Sequence, residues 1–328
     1  MILCKIIEQG RRINMLKEKK AEIINKVRLG NVDNISRTVF YEHFYREHPE
    51  IKWALLAGMV SRNAGWNMTD LKSKWFQTIL TPDYQELLFQ TFERANWTIF
   101  ADAYPQLLWY ESEKTREKPR FDLLKQLGVS KFMQNEWEYF MDHLDEDRLC
   151  TALIVNEQHM IEETVMKYPL YRDKVFSSLL YNLEEFAHMS YVLFPTLEGK
   201  VYGLYVRDFK KVKARIWLGK QLKQILFDES VFNSIYQFSI QTPPTGSRQD
   251  YQQYMMWSTR NNSPCLREVF PVVKHHWEDK KDWSNDVSNP EYYFYKIKKL
   301  VPKERTNWLQ RKWFELYVIQ KLKRMTSS

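Results

Sequence analysis

The sequence predicts an all-α, or nearly all-α, globular fold with at most one small β-hairpin near residues 200–209. Three observations predict it. Apolar residues recur at helical spacing along most of the 328 residues, glycine is rare at 9 positions, and Ser, Thr, Asn or Pro opens most of the periodic stretches. Hydrophobic residues make up 44% of the chain and aromatics 15%, with 12 tryptophans, which is ample for a large, stiff core. Charged residues, at 27%, are too few for general disorder.

The elements follow in order. Residues 15–28 form a polar amphipathic helix. Asn34 or Ser36 caps a helix to about His48, and Pro49 restarts the chain. Glu50–Asn63 is an apolar helix that Gly65 is placed to terminate. Thr69 caps a short helix to Leu80, and Thr81-Pro82 opens another to Ala103. Pro105 breaks the pattern, because proline lacks the N–H that a helix interior needs; Gln106–Glu117 resumes it. Phe121–Leu127 ends at Gly128, and Ser130 caps a helix to about His143. Asp145–Lys167 is a long buried helix, and Pro169 and Pro195 bracket one or two more. Val201, Leu204 and Val206, with Gly199 and Gly203 as turn points, carry the candidate hairpin. Val212–Phe227 returns to helical spacing. The Pro-Pro and Gly of Gln241–Ser247 make a loop, and Pro264, Pro271 and Pro290 allow only short helices. After Pro302 a last helix, about Lys303–Arg324, presents Trp308, Leu309, Trp313, Leu316, Ile319 and Leu322 on a broad face. The organisation is a basic N-terminal helix (1–30), a main helical domain (31–240) and a C-terminal helical portion (248–328) packed on it.

Cys4, Cys150 and Cys265 stand far apart and outside any CxxC or Cys/His pattern, so no disulfide framework, structural zinc or catalytic thiol is expected. The longest apolar run, Trp53–Val60, is far short of the ~20 residues of a membrane span. Met1–Ile7 is broken by Lys5 and lacks the order of a secretory signal, and Met15 is an alternative start. A cytoplasmic protein is the expectation. There is no Walker loop, GxGxxG, HExxH or GxSxG, and no cofactor is expected.

Net charge is +8, and its distribution says more than its sum. Residues 1–30 carry +5, residues 200–228 carry +6 and residues 293–328 carry +8, which leaves −11 for the rest. Gathered on one face, such stretches attract phosphate; scattered, they are solvated helix faces. The partners this composition fits are nucleic acid or an acidic protein surface. Peripheral membrane contact through the C-terminal helix is the lesser option, since its tryptophans read as core.

Three polar constellations interrupt apolar helices. Ser61, Arg62 and Asn63, followed by Trp66, end the first apolar helix; Arg62 needs an anionic partner if buried, with Asp70 and Glu157 as candidates. Asn156, Glu157, Gln158 and His159 interrupt the 145–167 helix, and buried amides there require partners. Glu185 and His188 share one helix face at i,i+3 spacing, but a di-iron bundle needs a second ExxH and two further glutamates, so no metal is expected. Two readings of Arg62, Asn63, Glu157, His159, Glu185 and His188 stay open: internal hydrogen-bond networks, or the pocket of an enzyme, metal-dependent if Glu185 and His188 take part.

The stretch WALLAGMVSRNAGWNMTDL, preceded by NISRTVFYEHFYREHPEIK, resembles the YppC-like family of uncharacterised proteins from spore-forming Gram-positive bacteria. The segments NEQHMIEE and FPTLEGKVYGLYVRDF extend the resemblance over most of the chain from about residue 30. It implies a cytoplasmic bacterial protein and supplies no activity or functional residues. The reading that fits best is a non-enzymatic binding or accessory protein with a basic surface.

Overall fold

The computed structural model describes residues 2–176, 191–206, 208–256, 262–277 and 280–326. Helix makes up 68% of it, and the one sheet among the described residues is a two-stranded hairpin. The fold is therefore all-α with a small β-hairpin.

The centre is α3 (Lys52–Asp70), in which every residue from Trp53 to Asp70 except Val60 is buried. A helix hydrophobic on all sides belongs inside a protein, and α3 is surrounded accordingly. Along it lie α2 (Asn34–Glu47) and α5 (Pro82–Glu113), with α1 (Ile2–Gly30) outside them and α4 (Lys74–Ile79) joining α3 to α5. On its other side runs α7 (Glu146–Ile161), extended by a π-turn at Glu162–Met166 and flanked by α6 (Lys131–His143). The caps follow from residue type: the Asp33 carboxylate accepts from Ser36 N at 2.8 Å, Ser130 Oγ from Met133 N at 3.3 Å and Asp145 from Arg148 N at 2.8 Å.

The short α8 (Pro169–Tyr171) precedes the hairpin, whose strands β1 (Tyr191–Pro195) and β2 (Val201–Tyr205) pair antiparallel with Tyr191 opposite Tyr205. The first strand thus begins well upstream of the expected segment. Then come α9 (Val212–Leu226), α10 (Phe232–Gln241), the 242–248 loop, and the short α11 (Gln249–Gln252) and α12 (Leu266–Val269). Turns at Trp283–Asp286 and Pro290–Phe294 lead to α13 (Thr306–Thr326), which packs on α4 with Trp313 5.3 Å from Trp75. One continuous core runs from Ile23 of α1 to Leu316 of α13.

Two helix breaks expected from single residues do not occur. Helix α3 continues through Gly65, and Thr69 is interior to it, not a cap. The glycine serves packing: a Cβ there would sit 3.3 Å from the Cα of Gly246. Helix α5 runs unbroken through Pro105. A proline costs about 3 kcal/mol in a helix interior, but Tyr104, Leu107, Leu108 and Trp109 are all buried around it, and burying such side chains returns about 1.5–3 kcal/mol each. Helical periodicity alone predicts that Trp53, Leu56, Val60, Leu153, Met160 and Leu183 are core; Trp53, Leu56, Leu153 and Met160 are buried, Val60 is half-buried and Leu183 lies outside the described residues. On α13 the inner face is narrower than expected: Leu309, Trp313 and Leu316 are buried, whereas Ile319 and Leu322 face solvent.

Candidate functional site

Ser61, Arg62, Asn63 and Trp66 are all buried on α3. Ser61 Oγ lies among Thr38 Oγ1 at 3.1 Å and the Asn34 side chain at 3.2 Å. Arg62 meets Asp250 at 3.5 Å, donates to the carbonyls of Ser239 and Thr242, and lies against the Phe238 ring. Trp66 Nε1 donates to the same Asp250 carboxylate at 3.1 Å. The Asn63 amide behaves as a strand neighbour, donating to Leu193 O and accepting from Leu193 N, both at 2.7 Å. It thereby closes the edge of β1, which would otherwise leave backbone groups unpaired in the interior.

The α7 residues belong to other networks. Asn156 is a hub: it donates to Asp102 and accepts from Ser130 Oγ at 3.1 Å and Trp283 Nε1 at 2.8 Å. Lys280 meets that Asp102 at 2.7 Å. Glu157 accepts from Trp53 Nε1 at 3.1 Å and from the Gln158 amide at 2.6 Å. Burial pushes its carboxyl up to about 7, against the pull of those two donors, and the nearby Tyr41 hydroxyl is driven far above its ordinary range by burial and by Glu157. The His159 ring stacks on Trp283 at 4.1 Å, and burial, aided by Arg215, lowers its pKa to about 4, so it is neutral at physiological pH. Gln158 accepts from Arg215 Nε at 3.1 Å, and Arg215 pairs with Glu162 at 2.6 Å.

The expected meeting of Arg62 with Glu157 is therefore not seen. Glu157 contacts α3 at Trp53, nine residues and about 13 Å along the axis from Arg62, which takes Asp250 instead. Asp70, the other candidate, pairs with Arg248 at 2.6 Å. Glu185 and His188 lie outside the described residues. Asp250, Arg248 and the buried Arg37–Glu93 pair were not legible beforehand; a charged residue in a polar loop or helix carries no sign that a distant segment will bury it. Chemically, these networks hold helices in register. Within them Glu157, at about 7, has a pKa suited to proton exchange near neutrality.

An open concave feature lies elsewhere. A cleft of about 320 Å³ is lined by Lys211, Lys213, Ala214, Ile216 and Trp217 of α9 and its approach, and by Tyr292 and Tyr293 of the facing turn. Lys220, six-hundredths exposed, is the strut between the walls, donating to Tyr293 O at 2.7 Å and Tyr295 O at 2.6 Å. Farther along, Gln224 accepts from Leu300 N at 3.1 Å, so the extended chain after the turn runs beside α9. The cleft residues come from the two basic stretches 200–228 and 293–328 and from the turn just before the latter. Lys213, Lys296, Lys298, Lys299 and Lys303 are exposed, as are Trp217, Tyr292 and Tyr295. The other basic stretch lies on α1, against α2 and α5, where Lys19 pairs with Glu113 at 2.6 Å.

No helix among the described residues is long and apolar enough to cross a membrane. No group of three or more His, Cys, Asp and Glu residues assembles among them in a way that would hold a metal ion. Comparison with solved structures gives no match. The chain is 42% identical over 307 residues to the uncharacterised protein YppC of Bacillus subtilis (strain 168), an alignment covering 91% of this chain and 93% of that protein. A family described as "Protein of unknown function (DUF2515)" matches residues 30–306, a range that takes in α2 through α12, the polar networks and the cleft. On both grounds the chain belongs to the DUF2515 family, whose function is unknown.

Proposed function

We propose that this is a non-enzymatic binding protein of the cytoplasm that engages a phosphate-bearing partner through the basic face around α9 and residues 292–303. The observation that carries the reading is an open cleft lined by Lys211 and Lys213 of one basic stretch, beside which the backbone of a second, residues 295–300, is held by Lys220 and Gln224. Of the two lysines that line the cleft, Lys211 is paired with Asp208 at 3.1 Å and Lys213 is set against a ring. Here Lys213 lies 5.1 Å from the Tyr292 ring centre, and Arg215 and Lys220 of the same helix are drawn inward to other partners. Most interior polar groups of the two networks, by contrast, bond to one another, His159 Nε2 and Arg62 Nε being the exceptions among the candidate residues, which favours a structural role for them over a substrate pocket. Buried Cys150 and half-buried Cys265 are free, as suits a reducing compartment.

The test uses inorganic polyphosphate as probe, titrated calorimetrically over a salt series. Affinity is expected to fall linearly on a log–log plot as salt rises, since neutralised phosphates release counterions. The combined variant Lys213→Glu, Lys296→Glu, Lys298→Glu should lose binding, and the variant Lys17→Glu, Lys26→Glu, Arg28→Glu on α1, which changes net charge equally, should change it little. Equal losses in the two variants would show that the partner senses only net charge, and the basic-face reading would fail.

A further inference from the structure

We infer that the cleft is a base-stacking slot for single-stranded nucleic acid, an inference that rests on the basic-face reading and narrows it. Four observations carry this. The slot's volume of about 320 Å³ lies at the small end of the ~300–1,000 Å³ usual for small-molecule sites, a size that suits one planar base. Its walls are aromatic and its rim is basic. Trp217 is 46% exposed and Tyr292 51% exposed, a large fraction for rings that nothing in the core requires outside. A lysine stands over one face of each ring, Lys213 5.1 Å from the Tyr292 centroid and Lys220 5.3 Å from that of Trp217, and the contacts of Tyr292 with Tyr293 at 6.0 Å and Tyr295 at 5.7 Å are T-shaped, so no described ring contact stacks on either ring.

The charge continues beyond the slot. From Lys213 to Gln224, where the extended chain is pinned through Leu300, α9 spans roughly 16 Å. Beside the stretch from Lys220, which holds Tyr295 O, to Gln224 run the exposed Lys296, Lys298 and Lys299, the last of them near the Asp228 carboxylate. An aromatic slot opening onto a track of lysines is the arrangement that holds single strands without reading sequence: bases stack on rings while ammonium groups follow the phosphates. A lipid surface fits less well. Membrane-docking aromatics must protrude to reach the acyl boundary, whereas Trp217 and Tyr292 line a concavity. An acidic peptide would use the lysines and leave the rings idle.

The experiment compares a fluorescein-labelled ten-residue oligothymidylate with an abasic strand of the same length and charge, by anisotropy at fixed salt. The oligothymidylate is expected to bind roughly tenfold or more tightly, the effect of at least one base–aromatic stack. Trp217→Ala and Tyr292→Ala should each erase most of that preference and leave affinity for the abasic strand within about twofold. Trp217 is half-exposed, so its replacement should keep the far-ultraviolet spectrum and melting temperature of the parent. Equal binding of the two strands, or a preference that survives Trp217→Ala, would overturn the slot and leave the basic-face reading standing. Tighter binding to phosphatidylglycerol vesicles than to either strand would overturn it in favour of lipid headgroups. Failure of every polyanion to bind would remove the basic-face reading itself.

Discussion

At the residue scale the sharpest consequence concerns Glu157 and His159, two positions apart on α7 and shifted in opposite senses. Glu157 is raised from 4.5 to about 7 by burial, so between those values the folded state holds a proton that the unfolded chain has released. Its contribution to stability therefore falls as pH rises from about 4.5 to 7 and is flat above. His159 is lowered from 6.5 to about 4 by burial, and between those values the unfolded chain takes up the proton. Its contribution rises with pH over that window. The two slopes oppose each other in the parent. Glu157→Gln keeps an oxygen for the Trp53 indole and removes one slope. The variant's advantage over the parent should be near zero at pH 4.5 and grow to roughly 1–3 kcal/mol by pH 7.5, the upper end being the full shift and the lower end allowing for partial solvent exposure. Urea melts of both proteins across that range measure it. An advantage that is constant with pH would mean that Glu157 titrates normally. That Asn156 or Gln158 is buried was legible, because an amide on an apolar stripe at helical spacing has nowhere else to go; both are. Which partner each would find was not, since Trp283 and Arg215 reach them from segments 127 and 57 residues away.

At the element scale, periodicity located the helices, and single glycines and prolines placed some of their ends, as Pro82 and Gly128 do, and misplaced others, as at Gly65 and Pro105. Gly128 terminates its turn with a φ of 70°, a left-handed conformation that glycine adopts freely. Gly65 looks the same in sequence and does something different: it lets the 245–247 backbone lie against α3. The companion residue Gly246 combines both demands. Its φ is 75°, and a Cβ there would come within 2.6 Å of Leu266 Cβ. Gly246→Ala should therefore cost roughly 2–4 kcal/mol, joining left-handed strain of ~1–2 kcal/mol to an overpacking cost of ~1–3 kcal/mol. Chemical denaturation with an unchanged m-value is the measurement. A loss below about half a kcal/mol would show that the loop shifts freely and that its approach to α3 carries little energy. Pro105 teaches the same lesson from the opposite side. A local breaker is overruled when the helix on both sides is packed into the core, and a local sequence window does not contain the packing.

At the scale of the whole molecule, the interior charges join segments far apart in the chain. Arg62 of α3 reaches Asp250, and Asp70 of α3 reaches Arg248, which also takes Tyr251 and Asn67 and lies 5.0 Å from the Trp313 ring of α13. A chain divided at the 241–247 loop would separate both pairs. Removing one partner of a buried ion pair costs about 3–5 kcal/mol, because the survivor stays desolvated. Two such losses approach the ~5–15 kcal/mol by which a whole domain is stable. A fragment of residues 1–241 is accordingly expected to lack a cooperative thermal transition, although it contains α3, α5 and α7 entire. The intact chain should melt as one unit, with ellipticity and tryptophan fluorescence changing at the same temperature. The pairs, more than the apolar contacts that the fragment also loses, are the expected cause, and the full-length chain tests them separately. Asp250→Ala leaves Arg62 buried without that carboxylate and should lower stability by about 3–5 kcal/mol, whereas replacing Arg62 and Asp250 together by Leu should cost less than the single change. A folded, cooperatively melting 1–241 fragment, or a double variant as damaged as the sum of its parts, would show that the two portions are stable apart and that the buried charges between them do not couple them.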